Sequence, residues 1–518
     1  MGRCDGGVGH GTCSIKGSWL PKRLLEISDN DKKDSEAPRV RLIESSGLSV
    51  KYIALSHCWG RIQSFQTTSA NIEEMKRGFQ YEDTPATFRD AIIVARLLGV
   101  QYLWIDSLCI VQDDLKDWET ESAQMAKVYR HAHLTISAAR AVDDNDGFLG
   151  PRYPIQAPIT LNVSWGESVE LYMKPYRELG ASRQPVDARG WIMQEHWLSR
   201  RQLRFEAEEI VWICQNDMRS ESLNDNYYWQ GYSPRSVETL FRAPEPESYT
   251  AWYGMLQEYT ARQLSFPSDT FPALAGLASI VAEHDGTNYM AGLWWEDIGR
   301  GLCWVTKDKH ASSRTSYVAP SWSWASVSSP VSFLCAERRD HWTFRTVLDL
   351  CSFHSYSISI PGSNKYGAIT DAWIRFRAPV VELRTVREEE LTTQKQHGSG
   401  NMHDLPHHSP EITPVVENLP KGAVHWTQYT MDSGNQYFQE DMFGVLLLKE
   451  EKNYWTSSER VPESVDYFQI SGLLIQRSKH STRRECINPY VRVGFFTLET
   501  QRKYKHLFCR NLQEILLE

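Results

Sequence analysis

The amino-acid sequence predicts an α/β unit with a parallel sheet in its N-terminal part, followed by a β-rich C-terminal half with a few helices. Two observations lead to this fold class. Between residues 52 and 138 short apolar strands alternate with helical patterns, which is typical of right-handed βαβ units. After about residue 150, short alternating segments separated by turn residues dominate. The length of 518 residues exceeds the roughly 250–300 residues at which one core stops growing, so we expect two packed units or one large composite.

The same patterns predict the domain boundaries. Residues 1–37 are rich in glycine and charge and predict a loose N-terminal leader. Residues 38–215 are expected to form the α/β domain, and residues 216–518 the β-rich region. Within that region, the polar and aromatic-poor stretch 387–422 predicts a mobile surface insertion.

Each element of the α/β domain has its own signal. Tyr52–Leu55 is a short apolar run and predicts a buried strand. Thr84-Pro85 is a typical helix start, and the apolar face that follows continues to residue 98. Tyr102–Ile105 predicts a second strand, Asp114 caps a further helix, and Leu134–Ala138 predicts a third strand.

The C-terminal half reads mostly as strands. Two helical segments interrupt it, Tyr249–Leu264 and Ala273–Glu283. The chain contains 19 tryptophans, and their large rings suit a β-rich core. The segments after residue 150 that predict strands are Val169–Met173, Gln202–Phe205, Ile210–Cys214, Val380–Leu383, Phe443–Leu448 and Val491–Leu498.

Composition argues against several classes of function. The net charge of −9, from 56 basic and 65 acidic residues, argues against a nucleic-acid binder, which would be strongly basic. No apolar run approaches the ~20 residues that cross a bilayer. The first residues, MGRCDGGVGHG, lack the apolar core of a signal peptide. We therefore expect a cytoplasmic protein without a membrane span, whose partner is a small molecule or another protein.

The cysteines indicate a reducing compartment. Ten cysteines are spread singly, without CxxC pairs. Cys4 and Cys13 flank His10 in a way that suggests a metal knuckle, but no second ligand pair follows, so the sequence favours a mobile leader and no metal.

Reactive side chains follow two of the predicted parallel strands. Ser56, His57 and Cys58 come after the first strand, and Asp106 and Cys109 after the second. Ligands bind beyond the carboxyl ends of parallel strands, and neighbouring strand ends lie about 5 Å apart. We therefore predict a catalytic group in which His57 acts as base toward the Cys109 thiol and Asp106 orients the imidazole. Two other interpretations stay open: an inert buried cysteine, and a polar cluster that binds a ligand or organises the sheet end.

A third dense patch covers residues 187–201. Arg189 and Glu195 are charges within an apolar segment, so we expect them to be paired, with each other or with Asp106. A structural salt bridge between the two halves of the chain is the alternative. The residues expected to bind a substrate around the catalytic group are Ser56, Trp59, Gly60, Gln112, Arg189, Trp191, Gln194 and Glu195.

Three sequence blocks resemble the signature blocks of the fungal heterokaryon-incompatibility (HET) domain. They are YIALSHCWG at 52–60, YLWIDSLCIVQD at 102–113 and RGWIMQE at 189–195. The likeness covers about residues 40–215 and extends weakly to about residue 330. The chain departs from the family with Ile192-Met193 where Thr-Leu is usual, and with His196-Trp197 where two apolar residues are common.

The resemblance implies a fungal protein with a part in non-self recognition and cell death, and a Rossmann/TIR-like fold. It also implies a second chemistry, cleavage of a nicotinamide dinucleotide by a glutamate, for which Glu121 or Glu195 would be the carrier. The sequence has no Gly-rich phosphate loop or GxGxxG motif, so nothing in it independently supports nucleotide binding. No cofactor is expected, and the dinucleotide enters only as the substrate of this alternative. Three hypotheses follow: a cell-death effector, a Cys109/His57 enzyme acting on an acyl or thioester-like small molecule in a biosynthetic pathway, and a dinucleotide hydrolase.

Overall fold

A computed structural model gives the fold of the chain. It divides into two compact units, the first formed by Met1–Ala243 and Arg262–His284, the second by Pro244–Ala261 and Asp285–Glu518. The structure describes residues 4, 13, 19–28, 38–60, 65–152, 159–162, 168–171, 184–221, 247–308, 314, 316–334, 347–362, 364–385, 412–415, 424–432, 442–452, 467–478, 489–501, 505–508 and 512–518.

Nine strands of the first unit form one sheet, and two more pair with each other. Their bounds are β1 (Arg23–Ile27), β2 (Arg39–Glu44), β3 (Tyr52–Ser56), β4 (Phe79–Gln80), β5 (Tyr102–Trp104), β6 (Leu134–Ser137), β7 (Ile159–Asn162), β8 (Ser168–Leu171), β9 (Arg201–Phe205), β10 (Ile210–Cys214) and β11 (Met218–Ser220). The order in the large sheet is β11-β10-β9-β6-β3-β5-β1-β2-β4, and β7 pairs with β8.

The helices of the described ranges are short apart from three. In chain order they are α1 (Ile72–Arg77), α2 (Ala86–Leu97), α3 (Asp106–Cys109), α4 (Leu115–Ser122), α5 (Met125–His131), α6 (Gly190–Leu198), α7 (Glu247–Thr260), α8 (Pro272–Asp285), α9 (Ile298–Gly301) and α10 (Lys505–Phe508). Single 3₁₀ turns lie at Tyr81–Asp83, Pro185–Ala188, Pro267–Thr270, Trp295–Asp297 and Trp324–Ser326.

The predicted parallel core is present at the centre of the sheet. β3 pairs in parallel with β5 on one side and with β6 on the other, and β6 pairs in parallel with β9. Every residue of β3 is buried, as expected for a central strand. The sheet as a whole is mixed, because β1, β2, β4, β10 and β11 join it antiparallel. Short connections such as the one between β9 and β10 permit only that direction.

The helices between these strands form as their patterns predict. α2 begins at Ala86, one residue after Pro85, and buries the apolar face that includes Phe88, Ala91 and Ala95. Asp114 caps α4, because its side chain accepts hydrogen bonds from the backbone of Lys116 and Asp117.

The second unit is rich in strands, as predicted. Its strands are β12 (Tyr289–Met290), β13 (Leu293–Trp294), β14 (Trp304–Thr306), β15 (Val331–Phe333), β16 (Val347–Asp349), β17 (Ser352–Ser359), β18 (Asp371–Thr385), β19 (Ile412–Val415), β20 (Val424–Met431), β21 (Met442–Lys452), β22 (Tyr467–Arg477), β23 (Tyr490–Gln501) and β24 (Leu512–Leu517).

The large sheet of the second unit closes on itself. Its order is β16-β21-β22-β23-β24-β18-β17, and an additional pairing joins β18 to β21. Leu446, Leu474 and Phe496 are buried in the cluster inside this path. The predicted burial of aromatic rings is found beside it, where Trp304 and Trp322 are fully buried.

Two predicted features fall largely outside the described ranges. Of the predicted insertion 387–422, Ile412–Val415 forms β19 and pairs with β18, and the remainder lies outside the described residues. Of the predicted leader 1–37, Cys4 and Cys13 are buried and Arg23–Ile27 forms β1 within the sheet. Within the part of the chain that the structure describes, no helix has both the length and the apolar character needed to cross a bilayer.

Candidate functional site

The carboxyl ends of β3 and β5 bring an imidazole and a carboxylate together. The two strands are parallel neighbours with Ala54 opposite Trp104, so the residues that follow each strand leave the sheet at the same edge. His57 Nδ1 lies 3.8 Å from Asp106 Oδ1. The His57 side chain is 1% exposed and that of Asp106 13%, so a ligand would meet Asp106 first.

A second carboxylate, Asp144, lies on the other side of the imidazole. His57 Nε2 is 3.0 Å from Asp144 Oδ1, but neither atom has a well-aligned hydrogen bond, so the contact is an ion pair when the ring is protonated. Burial raises the pKa of Asp144, and the neighbouring imidazole acts against this rise. The loop is fixed to α2, where the Thr87 N–H donates to the Asp144 carbonyl and Asp90 Oδ2 accepts two backbone N–H groups further along the loop.

Neighbouring side chains fix the position of His57. Its ring packs edge-on against Phe88 of α2, with the ring centroids 5.2 Å apart. The Arg189 guanidinium donates a hydrogen bond to the His57 carbonyl oxygen. Since both the ring and the backbone are held, His57 is preorganised rather than mobile.

Glu195 of α6 is the third acidic group of the site. Burial and the charge of Asp106 together raise the pKa of Glu195 to about 7, against the lowering effect of Arg189. The hydroxyls of Ser56 and Tyr129 lie in hydrogen-bonding position to this carboxyl. Its Oε2 atom is buried without a hydrogen-bond partner. A buried carboxyl with a pKa near 7 can hold or release a proton at neutral pH.

These groups form one charge cluster, made of His57, Asp106, Asp144, Glu195 and Arg189. Asp106 raises the pKa of both Asp144 and Glu195, and Arg189 lowers both. Because the carboxyls interact and one of them titrates near pH 7, the cluster can accept or release a proton at physiological pH. We call this set the acid–base cluster.

Trp59 and Gly60 border the acid–base cluster. Trp59 Nε1 donates a hydrogen bond to Asp106 Oδ2 at 2.7 Å, which orients the carboxylate toward the histidine. Gly60 has φ +77, and a Cβ there would lie 2.5 Å from the Asp143 Cβ. Glycine is therefore required for the chain after His57 to approach the loop that carries Asp144.

Cys109 does not join this cluster through its thiol. It lies one helical turn after Asp106 on α3, where Arg23 Nε donates to its carbonyl oxygen at 2.7 Å. Burial raises the pKa of the Cys109 thiol to about 12, with Arg23, Asp106 and Glu121 as the nearby charges that act on it. No hydrogen bond joins the thiol to His57 in the described structure. Since a thiol nucleophile needs a lowered pKa, this geometry does not provide the predicted activation.

Four other residues named in the sequence analysis make contacts within the first unit. Gln112 Nε2 donates to the carbonyls of Asp106 and Ile110, which closes the end of α3. Trp191 Nε1 donates to Asp269, and the Gln194 Oε1 accepts from the Gly276 N–H. Cys58 lies in a small apolar cluster with Ala139, Val186 and Ile192.

The expected pairing of Arg189 with a carboxylate is wrong. In the described part of the chain Arg189 has no carboxylate within ion-pair distance, and it bonds the His57 carbonyl oxygen instead. Glu121, the other glutamate considered, is buried beside Arg23, Asp117 and Lys22, and burial raises its pKa. It therefore belongs to a different charge group from His57.

The three blocks that build this site coincide with a known family. Residues 52–195 match the family model described as "Heterokaryon incompatibility protein (HET)". This stretch of the chain is therefore similar to the HET domain. The match begins at the first residue of β3 and ends at Glu195, so it spans the whole acid–base cluster. No curated protein and no solved structure matches the chain.

Proposed function

We propose that this HET-domain protein is an effector of fungal non-self recognition and cell death, and that it acts through the acid–base cluster. The biological role rests on the HET match over residues 52–195. The chemical part rests on one observation: Glu195 is a buried carboxyl with a pKa of about 7 in the same cluster as His57. Perturbed titratable groups of this kind are concentrated at functional sites.

Within this role we propose hydrolysis of the nicotinamide N-glycosidic bond of a nicotinamide dinucleotide. The C–N bond breaks and its electron pair leaves with nicotinamide, while a water oxygen bonds to C1 of the ribose. The proton released by that water goes to an ionised carboxylate, for which Glu195 is the candidate. A glutamate with a pKa near 7 is half ionised at physiological pH, which suits proton acceptance in this step. Trp59 and Arg189, which are partly exposed, would meet the dinucleotide at the entrance.

The thiol enzyme is less well supported than the glutamate enzyme. Cys109 has a raised pKa and no hydrogen bond to His57, whereas Glu195 shares its environment with Asp106. Relationship of the central parallel strands to Rossmann/TIR-like folds, a cytoplasmic location and a protein partner in recognition remain part of the proposal. The fold relationship and the recognition partner derive from the family likeness, and the cytoplasmic location derives from the composition of the sequence.

The proposal is tested by inducible expression of the full chain in a filamentous fungal host. We expect the wild-type chain to reduce viability and the cellular nicotinamide dinucleotide content, with release of nicotinamide. Glu195→Gln and His57→Ala should slow dinucleotide loss by about 100-fold or more, as expected for loss of a general acid or base. Dinucleotide, nicotinamide and surviving colonies are measured at matched protein levels.

Glu121→Gln is the matched control, since it also neutralises a buried glutamate with a raised pKa but lies beside Arg23 instead of His57. It should retain the wild-type rate. Equal dinucleotide loss in the wild type and Glu195→Gln would refute the hydrolase. Cell death that persists in both cluster variants would refute action through the cluster, and loss of activity in Cys109→Ala alone would restore the thiol enzyme. A harmless wild-type chain would refute the effector role.

A further inference from the structure

Three cysteines from distant parts of the chain meet in the first unit. Cys4, Cys13 and Cys214 are all buried, and their sulfur atoms lie within 4.8 Å of one another. Cys214 is the last residue of β10, so 210 positions of the chain separate it from Cys4. The thiols are close enough to hydrogen-bond one another. We call this set the three-cysteine cluster.

A buried cation lies beside the three-cysteine cluster. Arg201 is 2% exposed, and its Nη2 donates to the carbonyl oxygens of Cys4 and Cys13 at 3.3 and 3.2 Å. Burial raises the pKa of the Cys4 thiol, and the positive charge of Arg201 acts against this rise. A buried guanidinium beside three sulfurs offsets negative charge that develops on them.

The three-cysteine cluster lies at the opposite ends of the parallel strands from the acid–base cluster. Arg201 begins β9 and pairs with Cys214, and β9 runs parallel to β6 and hence to β3. The cysteines are therefore at the amino ends of the parallel strands, whereas His57 follows the carboxyl end of β3. β9, β6 and β3 are successive neighbours, which places β10 about 14 Å from β3 across the sheet. A ligand of these sulfurs thus does not take part in chemistry at His57.

We propose that Cys4, Cys13 and Cys214 bind one divalent zinc-type metal ion. Thiolate sulfur is a preferred ligand of Zn²⁺, with a bond of about 2.3 Å that puts tetrahedral sulfurs about 3.8 Å apart. The sulfurs lie within 4.8 Å of one another, so a contraction of at most about 1 Å reaches this geometry.

Charge and bonds balance in this site. Three S–H bonds are replaced by three metal–sulfur bonds, and three protons go to solvent. The divalent ion and three thiolates together carry one negative charge, which the Arg201 guanidinium offsets. Three sulfurs leave one tetrahedral position for water or a further donor. The ion would fasten residues 4 and 13 to the end of β10, which is a structural role.

The test uses the full-length protein purified under reducing conditions. We expect about one zinc ion per chain by elemental analysis, as for a structural site. Replacement by Co²⁺ should give a thiolate-to-metal charge-transfer band and the strong visible absorption of a tetrahedral site. Cys214→Ser and Cys13→Ser should each lower the metal content at least about tenfold. Cys303→Ser is the matched control, since Cys303 is also buried but lies in the second unit, donating to the Gly299 carbonyl.

A measurement on the unmodified chain covers variants that fail to fold. Alkylation of the cysteines, followed by peptide mass spectrometry, should modify Cys4, Cys13 and Cys214 at least about tenfold more slowly with Zn²⁺ than after chelation. Equal alkylation in both conditions, metal content that the cysteine variants do not change, or a disulfide within the cluster would each overturn the proposal.

Discussion

The raised pKa of Glu195 makes a quantitative prediction about stability. In the unfolded chain the carboxyl ionises near its ordinary value of 4.5, but in the folded protein only near 7. Above pH 4.5 the unfolded state therefore loses the proton while the folded state keeps it, so stability falls as pH rises. Each tenfold change in acid dissociation corresponds to ~1.36 kcal/mol, so the full effect is about 3 kcal/mol, developed between about pH 4.5 and pH 7.

Replacement by the neutral isostere, Glu195→Gln, should remove this pH dependence. Hydrogen exchange of peptides that cover β3 reports opening of the first unit independently of the second. We expect the difference in opening free energy between Glu195→Gln and the wild type to shift by about 3 kcal/mol in favour of the variant from pH 4.5 to pH 8. Glu74→Gln, an exposed change, should show no such trend. A difference that is constant across this range would refute the burial of Glu195 as an acid.

Two further predictions concern packing in each unit. Gly276→Ala should destabilise the first unit by about 1–3 kcal/mol, because the new Cβ would lie 2.3 Å from the Ala126 Cβ. Gly254→Ala is the control: this glycine lies in a helix with no atom within 4 Å of the new Cβ, so the change should be neutral or stabilising. Equal shifts of the thermal unfolding temperature in the two variants would contradict this. Arg492→Leu should destabilise the second unit by about 3–5 kcal/mol in urea unfolding, because it leaves the buried Asp432 carboxylate without its cation. Adding Asp432→Asn should recover part of this loss. A double variant as unstable as Arg492→Leu alone would refute the burial of an unpaired charge as the cause.

The central strands of the first unit could be predicted because their signals are local. Tyr52–Leu55 and Leu134–Ala138 are short apolar runs with turn residues around them, and both form strands within one residue of the expected bounds. The pairing of β5 with β1 could not be predicted, since nothing in the segment Arg23–Ile27 specifies its partner strand. Pairing in a sheet depends on distant segments, which periodicity within one segment does not encode.

The acid–base cluster was predictable only in part. His57 and Asp106 follow adjacent parallel strands, so their proximity follows from strand order. Asp144 gave no usable signal, because the sequence DDNDG around it reads as a solvated turn. The activation of Cys109 by His57 stays a prediction without structural support, because Cys109 is buried on the helical turn 106–109 and burial raises the pKa of its thiol.

The strands that flank the parallel core determine where a stable fragment of this protein can be cut. The family match runs from residue 52 to residue 195. Within the sheet, however, β5 pairs with β1 and β6 pairs with β9, and both β1 and β9 lie outside the match. A fragment cut at those two positions would expose unpaired backbone along both flanks, which promotes intermolecular strand addition. Autonomous folding should need at least residues 19–221, with the 262–284 segment that packs on α6 supplied as well. The signature region is thus the interior of a larger cooperative body.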